Sequence, residues 1–152
     1  MDEIVVRSLA KWPNVPAVYG WLELDRRGNW LIKGERIGNL ALREFIARNY
    51  AADAQGRWFF QNGPQRVYVR LAYTPFVVHH EGDALIDQRG ERFSATEVLQ
   101  DDEGSVLIAG EGSVALLDDR DLERYADSAE DLPRISRAEV ESRFGFICDP
   151  GK

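Results

Sequence analysis

The chain has 152 residues, of which 44% are hydrophobic and 11% aromatic, a composition that excludes a disordered protein and suits a single folded domain. Its 19 basic and 26 acidic residues give a net charge of −7, which disfavours nucleic acid as a partner because an acidic surface repels phosphate backbones. The sequence has no apolar run of the roughly 18 residues that a membrane span needs, so no membrane partner is expected.

The N-terminal segment and the cysteine content both indicate the compartment. The first residues carry acids where a signal peptide needs bases. Cys148 is the only cysteine, so the chain cannot form an internal disulfide. We therefore expect a cytoplasmic protein. Cys148 is expected to be a buried or terminal thiol, since neither a histidine nor a helix N-terminus adjoins it in the sequence.

The most strongly patterned stretch is a hairpin that leads into a helix. Residues 25–28 have the composition of a tight turn between two apolar arms, which predicts a returning strand that begins at Trp30. Asn39 then occupies the position of an N-cap. Three apolar residues follow at helical spacing: Leu42, Phe45 and Ile46. This pattern predicts one main amphipathic helix over about residues 39–51, with those three side chains buried against a sheet.

Further turn signals divide the middle of the chain into paired strands. Segments rich in β-forming residues flank three Gly-containing turns, at residues 62–64, 87–90 and 110–112. Because the strands come in pairs with tight connections, antiparallel hairpins are favoured over parallel crossover units. The sequence therefore predicts an α+β fold in which the hairpins form one or more sheets or a partly open barrel.

Both ends of the chain carry helix signals. The apolar spacing of residues 3–12 predicts a short N-terminal helix that stops before Pro13. Asp118 or Asp119 is expected to cap a helix after the last hairpin. Ser136 and Glu139 have the spacing of a capping box, which predicts a short C-terminal helix.

A repeated pattern suggests how the chain is organised. Asp-x-Arg-Gly occurs at residues 25–28 and 87–90, and residues 53–56 are answered by residues 102–104. An internal duplication whose second copy lacks a helix-length segment would produce this echo, although Asp-Gly turns also recur by chance. The predicted divisions of one compact unit are residues 1–18 (N-terminal helix and turn), 19–82 (first α+β repeat), 83–132 (second, shortened β-rich repeat) and 133–152 (C-terminal helix and tail).

Several residues stand together at spacings that resemble a known family. They are Gly28-Asn29-Trp30, Gly34, Ile37, Leu42, Phe45, Gly56 and Pro75-Phe76-Val77. The pattern, which spans residues 20–81, is similar to a family of uncharacterised proteobacterial proteins classed as a domain of unknown function, and this chain is identified as a member of a shorter sister family. The resemblance implies a duplicated α+β fold with a C-terminal half superficially like a pleckstrin-homology barrel. It also implies a ligand site at the interface of the halves.

No motif in the sequence names a reaction. His79 and His80 are the only histidines, and adjacent strand residues point to opposite faces, so the two cannot share a metal ion without a bend. The sequence contains neither a Gly-x-Ser-x-Gly nucleophile elbow nor a phosphate-binding glycine loop. We therefore expect no catalytic residue, no metal site and no cofactor, with an enzyme of unrecognised type as a third alternative.

Two aromatic features permit either a binding or a structural interpretation. One is a set of six aromatic residues near three arginines, which could stack a base or sugar and meet phosphates, or form a sheet core with solvated charges. The set consists of Trp58, Phe59, Phe60, Tyr68, Tyr73 and Phe76, with Arg57, Arg66 and Arg70. The other is Trp30, which is expected either to plug the contact between the halves or to touch a ligand.

The favoured function is a non-enzymatic ligand-binding or regulatory module, with a protein-interaction or structural domain as the alternative. If the two copies abut, their seam can hold a cleft that both line. A local positive lining of that cleft would favour a small anionic molecule or a protein partner. The candidate ligand-binding residues are Trp30, Lys33, Arg36, His79 and His80.

Overall fold

The computed structural model describes Trp12, Pro13 and residues 15–151, so the predicted N-terminal helix lies outside the described residues. The described chain folds into two six-stranded sheets from consecutive halves of the sequence. The first comprises β1 (Ala17–Leu24), β2 (Trp30–Ile32), β3 (Glu35–Arg36), β4 (Tyr50–Ala52), β5 (Trp58–Asn62) and β6 (Gln65–Leu71). The second comprises β7 (Phe76–Glu81), β8 (Ala84–Asp87), β9 (Ala95–Asp101), β10 (Val106–Gly110), β11 (Ser113–Leu117) and β12 (Arg134–Ile135). Helix α1 (Leu40–Arg48) joins β3 to β4, the 3₁₀ helix η1 (Asp119–Asp131) follows β11, and helix α2 (Arg137–Phe144) follows β12.

Antiparallel hairpins dominate both sheets, which confirms the predicted α+β class. Both sheets are open rather than closed into a barrel. Three pairs are parallel, namely β1 with β6, β7 with β11, and β9 with β12. The first of these pairs joins the first and last strands of the first half, and the second joins β7 to β11, the equivalent of β6. Such long-range pairing has no local sequence signal, because it is decided only when the hairpins pack together.

The two sheets repeat one strand order. The order β2-β1-β6-β5-β4 in the first sheet corresponds to β8-β7-β11-β10-β9 in the second, as an internal duplication would produce. The turn at Asp53 then corresponds to the turn at Asp101, one residue earlier than the sequence echo suggested. The β1–β2 turn at Asp25 corresponds instead to the β7–β8 turn at Gly82. The Asp87 turn follows β8, so the two Asp-x-Arg-Gly turns are not at equivalent positions in the two halves.

Four of the tight turns have the same construction. In each, an aspartate Oδ1 accepts hydrogen bonds from the backbone N–H groups two and four residues later, and the glycine three residues later has a positive φ of 82–87°. The glycine is required because a left-handed conformation is costly for other residues. The four aspartates are Asp25, Asp53, Asp87 and Asp101.

Helix α1 packs on the first sheet through the predicted stripe. Asn39 caps it by accepting a hydrogen bond from the N–H of Leu42. Leu42 and Ile46 are buried, as predicted, whereas Phe45 is only half-buried because it lies at the edge of the stripe and packs its ring edge-to-face on Phe60. The helix ends at Arg48, three residues before the predicted end, because Tyr50 already pairs with β5.

The helices near the C-terminus differ from the sequence expectation in detail. The helix capped by Asp118 is a 3₁₀ helix, and none of its residues is buried. Helix α2 begins after Ser136 as predicted, but the Ser136 side chain makes no capping hydrogen bond. The carboxylate of Asp102 instead accepts a hydrogen bond from the N–H of Arg137, so a neighbouring turn takes over the role of the capping box.

An aromatic cluster and a polar cluster hold the halves together. Tyr50 packs against Trp30 and Phe76, and its hydroxyl donates a hydrogen bond of 2.8 Å to the carbonyl of Pro75. Next to this cluster, the Tyr73 hydroxyl donates to the fully buried carboxylate of Asp101 at 2.7 Å. Burial and this hydrogen bond raise the pKa of Tyr73, so the tyrosine stays protonated.

The segment after α2 returns to the first sheet as a strap. The N–H of Ile147 donates to the carbonyl of Gly56, and the carbonyl of Cys148 accepts from the N–H of Leu71. Gly56 has no room for a side chain, because a Cβ there would collide with the carbonyl oxygen of Gly145. The C-terminal residues therefore join both halves, since α2 also follows β12 of the second sheet.

We expect Ile46→Ala to lower the free energy of unfolding by about 2–5 kcal/mol, because it leaves a cavity at a fully buried position. Phe45→Ala should cost less, since half-buried Phe45 already contacts solvent. Chemical denaturation of the two variants measures the difference. Equal losses would show that α1 packs differently.

Gly56→Ala should destabilise the protein more than Gly90→Ala. Both glycines have a φ of +82° in equivalent positions of the same turn type, so both substitutions carry the same backbone strain of roughly 1–2 kcal/mol. Only the Gly56 variant adds a collision with the strap, since a Cβ at Gly90 meets nothing within 4 Å. Thermal unfolding of the two variants isolates the strap contact, and identical melting temperatures would contradict it.

Candidate functional site

A cleft of about 270 Å³ lies where the two halves meet, and we call it the seam cleft. The first half contributes its β1–β2 turn, and the second contributes β7, β8, the turn after β8 and the start of η1. Its lining residues are Arg27, Gly28, Val77, Val78, His79, Glu81, Ile86, Asp87, Gln88, Gly90, Asp118 and Arg120. The position matches the prediction that both halves would line a cleft at their seam.

Close packing of two turns forms the floor of the seam cleft. A Cβ on Gly28 would lie 3.2 Å from the Cβ of Gln88 and 3.5 Å from that of Val77, so the glycine lets the halves approach. The Gln88 side chain accepts a hydrogen bond from the N–H of Val77 and donates one to the carbonyl of Pro75. The Gln88 side chain thus fixes its turn to the backbone at the start of β7, and Gly28 of the first half packs on this turn.

Arg27 forms no ion pair with Asp25, the aspartate of its own turn, whereas Arg89 pairs with Asp87 in the equivalent turn. Arg89 donates to the second carboxylate oxygen of Asp87 at 2.8 Å. In the first turn the corresponding oxygen of Asp25 accepts a hydrogen bond from the Asn29 side chain instead. Among the described residues, Arg27 makes no ion pair and lines the cleft.

The three acids that line the seam cleft each have a partner, and the contact of Arg120 with Asp118 is the longest of these. Both carboxylate oxygens of Asp87 accept hydrogen bonds within their own turn. Asp118 caps η1 and accepts a long contact of 3.4 Å from Arg120, whose side chain is 61% exposed. The His79 ring lies 2.8 Å from the carboxylate of Glu81. Arg27 and Arg120 are therefore the cations best placed to meet a ligand.

His80 faces away from the seam cleft and holds η1. The guanidinium of Arg124 can only donate, so Nδ1 of His80 accepts its hydrogen bond at 3.0 Å. The neutral ring then carries its proton on Nε2, which donates to the Tyr125 hydroxyl at 2.7 Å. The backbone N–H of His80 also donates to Asp121. Burial and the charge of Arg124 lower the pKa of His80.

The remaining predicted site residues lie elsewhere. Trp30 is 2% exposed and packs in the aromatic cluster. Lys33 and Arg36 are exposed and line a separate groove of about 540 Å³ beside the start of α1. The structure thus places His79 in the seam cleft and separates it from the other four. The sequence analysis did not identify Arg27 or Arg120. The signal for Arg27 was Asn29, whose side chain donates to the Asp25 oxygen that corresponds to the one bound by Arg89.

The aromatic set divides between the core and the outer face of the first sheet. Trp58, Phe60 and Phe76 pack inward. Phe59 and Tyr68 lie on the other face, where Arg66 covers the Phe59 ring at 4.1 Å and Arg57 covers the Tyr68 ring at 4.8 Å. Both rings are less than 10% exposed, so their faces are already occupied by guanidinium groups.

Cys148 is not poised for nucleophilic chemistry. Burial, together with the carboxylate of Glu141, raises the pKa of the thiol to about 12, and the thiol donates a hydrogen bond to the carbonyl of Tyr73. Within the part of the chain that the structure describes, no group of three or more His, Cys, Asp or Glu residues could hold a metal ion. That same part contains no helix long and apolar enough to cross a membrane.

Comparison with known proteins gives one family and two related structures. The DUF2944 family model, described as “Protein of unknown function (DUF2946)”, matches residues 1–151. A DUF1285 family protein from Silicibacter pomeroyi shares 17% identity over 81% of this chain and 82% of its own, with a TM-score of 0.57. A second, from Shewanella baltica, shares 14% identity over 70% and 90%, with a TM-score of 0.53. No curated protein matches the sequence.

These findings confirm the resemblance to a proteobacterial family classed as a domain of unknown function. At identities below 20%, the two solved structures show a shared fold and nothing about activity. The site must therefore be judged from its own residues.

We expect the protein to lose stability as the pH falls from about 7 to about 5. The unfolded chain protonates His80 near its ordinary pKa of about 6.5, whereas the lowered pKa in the folded state keeps the ring neutral to lower pH. Protons then bind preferentially to the unfolded chain. His80→Gln, which can keep both hydrogen bonds without titrating, should lose less melting temperature between pH 7.5 and 5.5. Equal losses in both proteins would exclude this role.

Proposed function

We propose that this chain, which belongs to the DUF2944 family, is a non-enzymatic module that binds a small anionic ligand in the seam cleft. The observation that carries the proposal is the position of Arg27 and Arg120. One comes from the first half and the other from the second, and both line the same cleft. Two guanidinium groups that line one concave site are suited to carboxylate or phosphate oxygens.

The size of the seam cleft limits the ligand. A volume of about 270 Å³ lies just below the range of roughly 300–1,000 Å³ that is usual for drug-sized molecules. The walls are polar, since turns and charged side chains line most of the cleft. A compact anion fits these features better than an extended apolar molecule.

Binding across the seam would also give the module a way to respond. An anion held by Arg27 and Arg120 would join the β1–β2 turn to the start of η1. None of the η1 residues is buried, and hydrogen bonds between His80 of β7 and the side chains of Tyr125 and Arg124 hold the helix, so η1 has little buried surface to lose when it shifts. We propose a regulatory role on this basis.

A binding role is favoured over an enzymatic one by the state of the potential nucleophile and bases. The Cys148 thiol has a raised pKa, and each histidine is already hydrogen-bonded to a neighbouring side chain. The net charge of −7 supports a small ligand over nucleic acid, and the lone cysteine supports a cytoplasmic location.

The test is a thermal-shift titration with inorganic phosphate, succinate and adenosine monophosphate at constant ionic strength. A ligand at one hundred times its dissociation constant should stabilise the folded protein by about 2.7 kcal/mol. We expect at least one probe to raise the melting temperature of the wild type, and the Arg27→Ala/Arg120→Ala variant to lose that rise.

The matched control is Lys33→Asn/Arg36→Gln, which also removes two positive charges but lies outside the seam cleft. It should keep the full shift. A wild type that responds to none of the three probes, or a seam variant that responds as the wild type does, would overturn the proposal.

A further inference from the structure

We infer that the groove beside the start of α1 is a second binding site, for a molecule that joins an apolar body to one acidic head group. This hairpin groove lies between the β2–β3 hairpin and the first turn of α1. It encloses about 540 Å³, twice the volume of the seam cleft and within the usual range for small-molecule sites. The inference does not rest on the proposed function, because the two sites share no lining residue.

Part of the wall of the hairpin groove is apolar. Trp21 and Ile32 are half-buried and line it, backed by Ile37 and Leu42 from the core. Trp21, one face of which carries the Lys33 ammonium, and Ile32 are both partly exposed, so some of their apolar surface is in contact with water. Covering that surface is favourable by roughly 25 cal/mol for each Å² that is buried. The walls therefore favour a ligand with an apolar body.

Lys33 adopts a strained conformation that holds its ammonium at one end of this wall. Its φ is +50°, and Gly34 follows with a positive φ, so the two form a tight hairpin turn in which Asn or Gly is the usual first residue. The Lys33 N–H donates to the carbonyl of Trp21, and its ammonium lies 4.2 Å from the Trp21 ring centre. A left-handed conformation costs free energy at a residue other than glycine, so the lysine at this position indicates a role for its side chain.

The charge of the hairpin groove is complementary to an acid. Lys33 and Arg36 are exposed, and neither belongs to an ion pair among the described residues. Glu35 is the one acid among the described lining residues. The first turn of α1 contains no acidic residue, so the positive end of its helix dipole is not neutralised there. A carboxylate at this end would meet two cations.

Both features together define the ligand class. A neutral apolar molecule would cover Trp21 and Ile32 but would bring no partner to Lys33 and Arg36. A small anion alone would meet the cations but leave the apolar wall exposed to water. Only a molecule with both parts uses the whole hairpin groove, and a medium-chain carboxylate is the simplest member of that class.

The experiment is isothermal titration calorimetry of the full chain with decanoate, kept below its micelle-forming concentration. Decanol and acetate serve as probes that lack the charge and the chain respectively. We expect saturable binding of one decanoate per chain, and at least tenfold weaker binding of each of the other two. Lys33→Asn/Arg36→Gln should weaken decanoate binding at least tenfold, and Asn is chosen because it tolerates the left-handed turn.

The seam variant Arg27→Ala/Arg120→Ala loses the same number of charges and should bind decanoate as the wild type does. The inference is overturned if decanoate does not bind saturably with one molecule per chain, or if decanol binds as tightly as decanoate. It is also overturned if both double variants lose affinity for decanoate to the same degree. Circular dichroism of each variant confirms that the fold is intact before titration. Because each double variant controls for the other, failure at one site leaves the other independently testable.

Discussion

In four hairpin turns an aspartate carboxylate accepts two backbone N–H groups, and the glycine that follows takes a left-handed conformation. This turn fixes more than the hairpins, because its other residues meet across the molecule. Arg26 of the first turn donates to Ser105 of the last at 2.8 Å, and Gly28 packs on Gln88 of the third. Gly56 of the second turn meets the C-terminal strap. Correct packing of the halves therefore depends on a short turn whose geometry a few hydrogen bonds determine.

The repeated strand order explains why these turns can meet. The first half brings β1 beside β6 and the second brings β7 beside β11, and this arrangement places the hairpin turns at defined positions along each sheet. Between β3 and β4 the first half has α1, whereas the second half passes directly from Phe93 to β9 and adds η1, β12 and α2 after β11. The second sheet is joined to the first through Tyr50, Tyr73 and the strap.

The sequence predicted what local signals determine. The hairpins and α1 follow from turn residues, alternation and an N-cap, and each lies within about thirty residues of chain. The partial burial of Phe45, the parallel strand pairs and the 3₁₀ form of η1 depend on contacts between distant parts of the chain. No local sequence pattern encodes such contacts. The candidate site shows the same limit. Lys33, Arg36 and His79 carry suitable chemistry, but only the fold decides that His79 faces the seam and the other two face α1.

Cations that remain available for a ligand on a chain with a net charge of −7 reflect how its acids are used. The carboxylates of five aspartates accept hydrogen bonds from backbone N–H groups, either within tight turns or at the N-terminus of η1. An arginine two residues after such an aspartate can fold back on it, as Arg89 does. Arg27 does not, and the Asn29 amide donates to the corresponding oxygen of Asp25 instead. Arg27 therefore stays without an ion pair among the described residues, and the placement of charges rather than the net charge sets the local field at the seam.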